Sequence, residues 1–166
     1  MRVLGVDPGT AALGYGVVEE RATAPVCVGF GCLRSPAGMA LPERLLSLYR
    51  DLQRVVKEYG PSAVAVEEIF FCRNHLTAFA VGQARAVALL AAAEAGLPVY
   101  EYSPLQVKMA VVGYGRASKA QVQDMVARTL GLDSPPRPQD AADALGVALC
   151  CLFSRQTLAR VEASRE

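Results

Sequence analysis

An α/β domain, built on a five-stranded mixed sheet flanked by helices, is the fold class this 166-residue sequence predicts. Three observations lead there. Short apolar runs with turn-like connections open the chain. The spacing of apolar residues then changes to steps of three and four. Beyond that change, strands and helices alternate.

Val3-Leu4-Gly5-Val6 stops at Asp7-Pro8-Gly9-Thr10, which reads as a buried strand entering a turn. Leu13 to Glu20 forms a second strand and Val26 to Leu33 a third, and their short links make an antiparallel meander. Leu45, Leu48, Tyr49, Leu52, Val55, Val56 and Tyr59 then mark one face of an amphipathic helix, which starts near Pro42 and stops at Gly60-Pro61. Ala63 to Glu67 is a buried strand ending in an acid, followed by a polar and aromatic loop from Phe70 to His75. Thr77 to Ala95 is apolar almost all round, so this helix is buried on more than one side, and one side suits a subunit interface. Val99 to Tyr102 is the fifth strand, and shorter helices span Leu105 to Val112 and Lys119 to Leu130. The proline-rich link Ser134 to Pro138 cannot be helical throughout. A last helix runs from about Asp140 to Arg160, giving one domain over 1–160 and a tail over 161–166. The helix-bearing half should use right-handed crossovers.

Composition narrows the chemistry. At 52% hydrophobic and 20% charged, the chain is not that of a disordered protein. One histidine, His75, excludes a His-rich zinc centre and leaves a single candidate for a Ser-His-Asp triad. Five cysteines without a C-x-x-C pair disfavour both a zinc ribbon and a disulfide framework. The longest apolar runs are short for a bilayer, and Asp7-Pro8-Gly9 interrupts any signal-like start, so a cytoplasmic location is expected.

Acids at the ends of apolar elements are poorly explained by packing, because an unpartnered buried carboxylate is costly. Asp7 closes the first strand and Glu67 the fourth, while Asp140 and Asp143 share one face of the last helix. Together they offer hard oxygen ligands suited to Mg²⁺ or Mn²⁺. Each also has a plainer reading: Asp7 as a turn residue, Glu67 or Glu68 as a solvated strand end, Asp140 as a helix-capping acid. Asp143, set among Ala141, Ala142, Ala144 and Leu145, resists such a reading most.

The order of these motifs resembles the RuvC family of crossover junction endonucleases. The resemblance rests on Leu4-Gly5-Val6-Asp7-Pro8-Gly9-Thr10, Gly14-Tyr15-Gly16-Val17-Val18, Ala65-Val66-Glu67 with Phe70, and Gly82-Gln83-Ala84-Arg85. Gln106-Val107-Lys108, Val111-Val112-Gly113 and Asp140-Ala141-Ala142-Asp143-Ala144-Leu145 complete it. It implies a ribonuclease H-like fold and a catalytic, metal-binding set of Asp7, Glu67, Asp140 and Asp143. It also implies symmetric incision of four-way (Holliday) DNA junctions by a homodimer, in recombination and repair, leaving 5′-phosphate ends. Two Mg²⁺ ions per site, about 4 Å apart, would clamp the attacking and leaving oxygens, with Mn²⁺ also supporting activity. Asp7 would bridge them, with Glu67 on one ion and Asp140 and Asp143 on the other side. The RuvA and RuvB branch-migration proteins are implied partners. Glu68 should point to the other side of its strand.

The net charge is +1, but residues 71–130 carry six basic and three acidic side chains. Arg73, Lys108, Arg116 and Lys119 are therefore candidate phosphate contacts, a solvated helix face being the alternative for each. Lys108 and Lys119 match basic positions of the family pattern. Arg85, inside an apolar helix, suits an interface or an internal pair. Phe70 takes a base-stacking role by resemblance, and Phe71 stays open. Three rivals compete with this reading. The Asp7 to Thr10 turn resembles a sugar-kinase phosphate loop, but such enzymes need two lobes. A non-catalytic scaffold would leave clustered carboxylates repelling DNA. An RNA-cutting nuclease of the same fold lacks support from the aromatic loop and the Gln106-Val107-Lys108 segment.

Overall fold

The computed structural model describes residues 1–36, 38–68 and 75–164, with backbone only for 75–77. Phe70, Phe71 and Arg73 lie outside the described residues. The elements in chain order are β1 (Arg2–Asp7), β2 (Ala12–Glu19), β3 (Val26–Arg34), α1 (Leu41–Tyr59), β4 (Ala63–Glu67), α2 (His75–Glu94), β5 (Val99–Tyr102), α3 (Pro104–Val112), α4 (Lys119–Leu130) and α5 (Gln139–Ala163). Every expected strand and helix forms. Their ends shift by a few residues at most: α5 continues to Ala163, and α2 opens at His75, which therefore leaves the expected loop.

Local chemistry explains the helix boundaries. Pro42 sits in the first turn of α1, and Gly60 ends it in the left-handed conformation (φ 54°), donating its N–H to the Val56 carbonyl. Helices α3 and α4 each start with a capping box, Ser103 with Gln106 and Ser118 with Gln121.

The sheet order is β3-β2-β1-β4-β5. Strands β1, β2 and β3 pair antiparallel, while β4 runs parallel to both β1 and β5. Alternation along β1 divides the core in two. Leu4 and Val6 join Leu48, Leu52, Val87 and Ala88 beneath α1 and α2. Val3 joins Leu145, Ala148 and Leu149 of α5 on the opposite face. Asp7 is on that second face, by its two-residue step from Gly5.

Helix α5 lies unusually close to the sheet. A Cβ on Gly5 would stand 2.0 Å from the Ala144 carbonyl oxygen, so no larger residue fits without moving the helix. Gly16, the register partner of Gly5, meets Leu145 in the same way. From Ala141 to Leu152 every α5 residue is buried except Asp143. By length and composition α5 passes as a membrane-crossing helix. Here its apolar residues line the core between the sheet and helices α3 and α4.

Candidate active site

Two adjacent parallel strands, β1 and β4, both end in an acid at the same edge of the sheet. Val6 is the register partner of Val66, so Asp7 and Glu67 follow side by side. The first turns of α5 bring Asp143 over that edge, and the start of α4 brings Lys119. Asp7, Glu67, Asp143, Lys108 and Lys119, with Pro104, Val107 and Val122, line a cleft of about 290 Å³. The apolar members give its floor a low dielectric, which strengthens every charge interaction inside.

The electrostatics identify Asp7 as the centre. Its carboxyl is pushed up from 3.8 to about 7, first by burial and then by the charges of Glu67, Asp143 and Asp140, against a smaller pull from Lys119. Glu67 is also raised, by burial and then by Asp143, with Lys119 opposing. Burial alone would depress Lys119. Its hydrogen bond to Asp143 and the charges of Asp143, Asp7 and Glu67 hold it above its ordinary value instead. The Lys119 Nζ donates to Asp143 Oδ2 at 2.8 Å. Its ammonium thus does part of what a cation would do among these acids.

This donor set fits a hard divalent cation. It offers carboxylate oxygens only, and its central acid is partly buried against three like charges. Among the described residues, no three ligating side chains are gathered tightly enough to be a ready-made metal cage.

A folding consequence follows from Asp7. Its carboxyl holds a proton more tightly in the folded chain than in the unfolded one. The stability this brings is fully present below the ordinary aspartate value of 3.8 and is lost as pH rises through about 7. Glu67 acts in the same direction. Heat denaturation in chelator should therefore show stability falling between pH 4 and 8 by an amount on the order of a few kcal/mol. Asp7→Asn should flatten much of that fall, and an unaltered slope would contradict the burial of this charge.

Asp140, the fourth acid, is half-buried and set back from the cleft lining. Its Oδ2 accepts from the Cys32 thiol of β3, 3.8 Å away. Burial, followed by the charge of Asp140, raises the Cys32 thiol, so it stays protonated and able to donate at neutral pH. Arg116 is exposed in the link between α3 and α4, outside the cleft lining. Arg85 forms an ion pair with Glu101 within the chain, one of the two roles that its place in an apolar helix suggested. Glu68 is exposed, one residue beyond the strand end.

Sequence reasoning missed two of these contacts. The Lys119–Asp143 pair joins residues on different helices, with no local signature. The Cys32–Asp140 contact depends on strand register; its one available signal was the glycine at position 14, small enough to admit a neighbour.

A family model described as crossover junction endodeoxyribonuclease RuvC matches residues 3–151. The RuvC proteins of Desulfitobacterium hafniense and Chloroflexus aggregans are 55% and 56% identical to this chain, over 97% and 96% of it and 98% of each relative. The solved structure of RuvC from Thermus thermophilus in complex with a Holliday junction substrate superposes with a TM-score of 0.90 at 40% identity, covering 95% of this chain and 96% of that one.

Proposed function

Because this chain belongs to the RuvC family of crossover junction endodeoxyribonucleases, we propose that it resolves four-way DNA junctions by paired, symmetric, metal-dependent phosphodiester hydrolysis. Its sheet and flanking helices form a ribonuclease H-like fold. The observation that carries the reading is the convergence of strand-end and helical acids on Asp7, beside a cleft that also holds Lys108 and Lys119.

Asp7, Glu67, Asp143 and Asp140 would hold two Mg²⁺ ions, with Mn²⁺ as a substitute, and Asp7 is the acid on which the charges of the other three act. When bound, the ions supply the charge that acidifies water and stabilises the leaving 3′ oxygen, so the cut ends carry 5′-phosphates. The protein's own part is positioning. Glycine-tight packing of α5 against β1 fixes the helical acids relative to the strand-end acids. Lys108 and Lys119 attract the scissile strand and offset the charge of the acids. Arg116, exposed outside the cleft lining, and Arg73, by sequence charge alone, are further candidate phosphate contacts, and Phe70 is the candidate to stack on bases freed at the crossover.

One domain supplies one site, so symmetric cutting calls for a second copy. Helix α2 supports a homodimer, since Phe79, Gly82, Gln83 and Ala86 line an open cavity of about 500 Å³. By analogy with the family, RuvA and RuvB would be its partners and the cytoplasm its location.

The test sets a synthetic four-way junction beside a linear duplex and a structured RNA, each with Mg²⁺. Cleavage confined to the junction, at symmetric positions in two strands, is expected. Equal cutting of the duplex or the RNA would sink the assignment.

A further inference from the structure

Three residues form a row across the sheet. Asp7 of β1 pairs with Gly14 of β2, and Gly14 pairs with Cys32 of β3. Helix α5 begins directly above that row. A Cβ on Gly14 would lie 2.1 Å from the Asp140 carbonyl oxygen and 2.9 Å from the Asp140 Cβ. The next position in the row, Cys32, reaches the Asp140 carboxylate itself at 3.8 Å. Among the described residues no other hydrogen bond to that carboxylate is found.

We propose that Gly14 and Cys32 together seat Asp140, Gly14 by leaving the space its backbone occupies and Cys32 by donating its thiol hydrogen to Oδ2. Both are positioning residues. This rests on the reading of Asp140 as a metal ligand and assigns the groups that aim it.

The physical case has three parts. First, Asp140 stands in the first turn of α5, where no preceding helical turn braces its side chain. Its rotamer must be set by what lies across from it. Second, the link before α5 is proline-rich, and its residue Pro138, the N-cap, makes no side-chain cap bond. No side-chain cap holds the helix start, and its backbone packs closely against Gly14. Third, among the described residues the Cys32 thiol has one competing acceptor, the Leu33 carbonyl, which is farther away at 3.9 Å than Asp140 Oδ2 at 3.8 Å. Outer-shell donors of this kind orient a ligand, and their loss typically costs about 10–100-fold in metal affinity. A thiol is a weak donor, so the lower end of that range is expected here.

Cys32→Ala, Cys32→Ser, Gly14→Ala and Asp140→Asn would be compared with the parent protein, with circular dichroism to verify folding. Mn²⁺ binding to the free protein, followed by electron paramagnetic resonance, gives a readout independent of cleavage. Cys32→Ala should weaken Mn²⁺ binding by about tenfold, and Cys32→Ser, which keeps a donor, should restore most of it. Cleavage by Cys32→Ala should need more Mg²⁺ for half-maximal rate yet approach the parent rate at saturation. A merely structural loss would lower the rate at every Mg²⁺ concentration and would not be rescued by serine. Gly14→Ala, where it folds, should weaken Mn²⁺ binding further than Cys32→Ala. Weakened binding in Asp140→Asn with parent-like binding in Cys32→Ala would overturn the seat alone. Parent-like binding in Asp140→Asn would overturn the ligand reading and the seat with it.

Discussion

Asp7→Asn is expected to reduce junction cleavage on the order of a thousandfold, about 4 kcal/mol of lost transition-state stabilisation, while junction binding persists. Asparagine has the size of aspartate and lacks its charge. It cannot replace the charge of a carboxylate proposed to hold divalent cations. The same replacement removes the central charge of a partly buried cluster whose members repel one another. The variant should therefore denature at a higher temperature than the parent at pH 8 in chelator. That pairing distinguishes loss of chemistry from loss of fold, because a damaged fold cannot be the more stable one. Junction binding, measured by gel shift with Ca²⁺ in place of Mg²⁺, should be at least as tight, since one negative charge beside the phosphates is gone. Residual turnover within tenfold of the parent would remove Asp7 from the centre of the site.

The elements were legible because each carries a local signal. The three-and-four spacing from Leu45 to Tyr59 predicts α1, and Gly60-Pro61 marks its end, because both are properties of consecutive residues. The strand-end acids stood out for a related reason. Asp7 and Glu67 interrupt apolar runs, and the fold brings them together through the parallel pairing of β1 and β4. What stayed hidden depends on distance between elements. Nothing near Lys119 says that its ammonium reaches Asp143, and nothing near Cys32 says that it faces Asp140.

The glycines show where the boundary falls. Gly14 and Gly16 weaken the interior of a strand, which is their local meaning. In the fold they are the places where α5 comes down onto the sheet, at Asp140 and Leu145. A residue without a side chain is informative about its neighbour, and the neighbour is known only once the helix is docked. The same docking turns two separated acidic signals, one at strand ends and one in D-x-x-D, into one electrostatic unit around Asp7.

Ala86→Glu is expected to separate the two copies and with them the two cuts. One face of α2, with Ala84, Val87, Ala88, Ala91 and Ala92, is buried in this chain's core. The other carries Phe79 and Leu90, 74% and 62% exposed, with Ala86 between them. An apolar strip of this kind on a helix, set at steps of three and four residues, marks an interaction surface. A two-fold axis near Ala86 would place this face against its own copy, and the small residues Gly82 and Ala86 permit close approach. A glutamate there would bury one uncompensated charge from each copy, which costs about 3–5 kcal/mol for each and raises the dissociation constant by at least a hundredfold. The variant should elute as a monomer at concentrations where the parent elutes as a dimer. Helix α2 packs on the face of the sheet opposite α5 and Asp7, so the acids stay in place. On a supercoiled plasmid with an extruded cruciform, the parent should give linear product from paired cuts. Ala86→Glu should give nicked circles, because each cut then occurs alone. A parent protein that elutes as a monomer at every concentration, or a variant that still linearises the plasmid at the parent's rate, would refute the α2 interface.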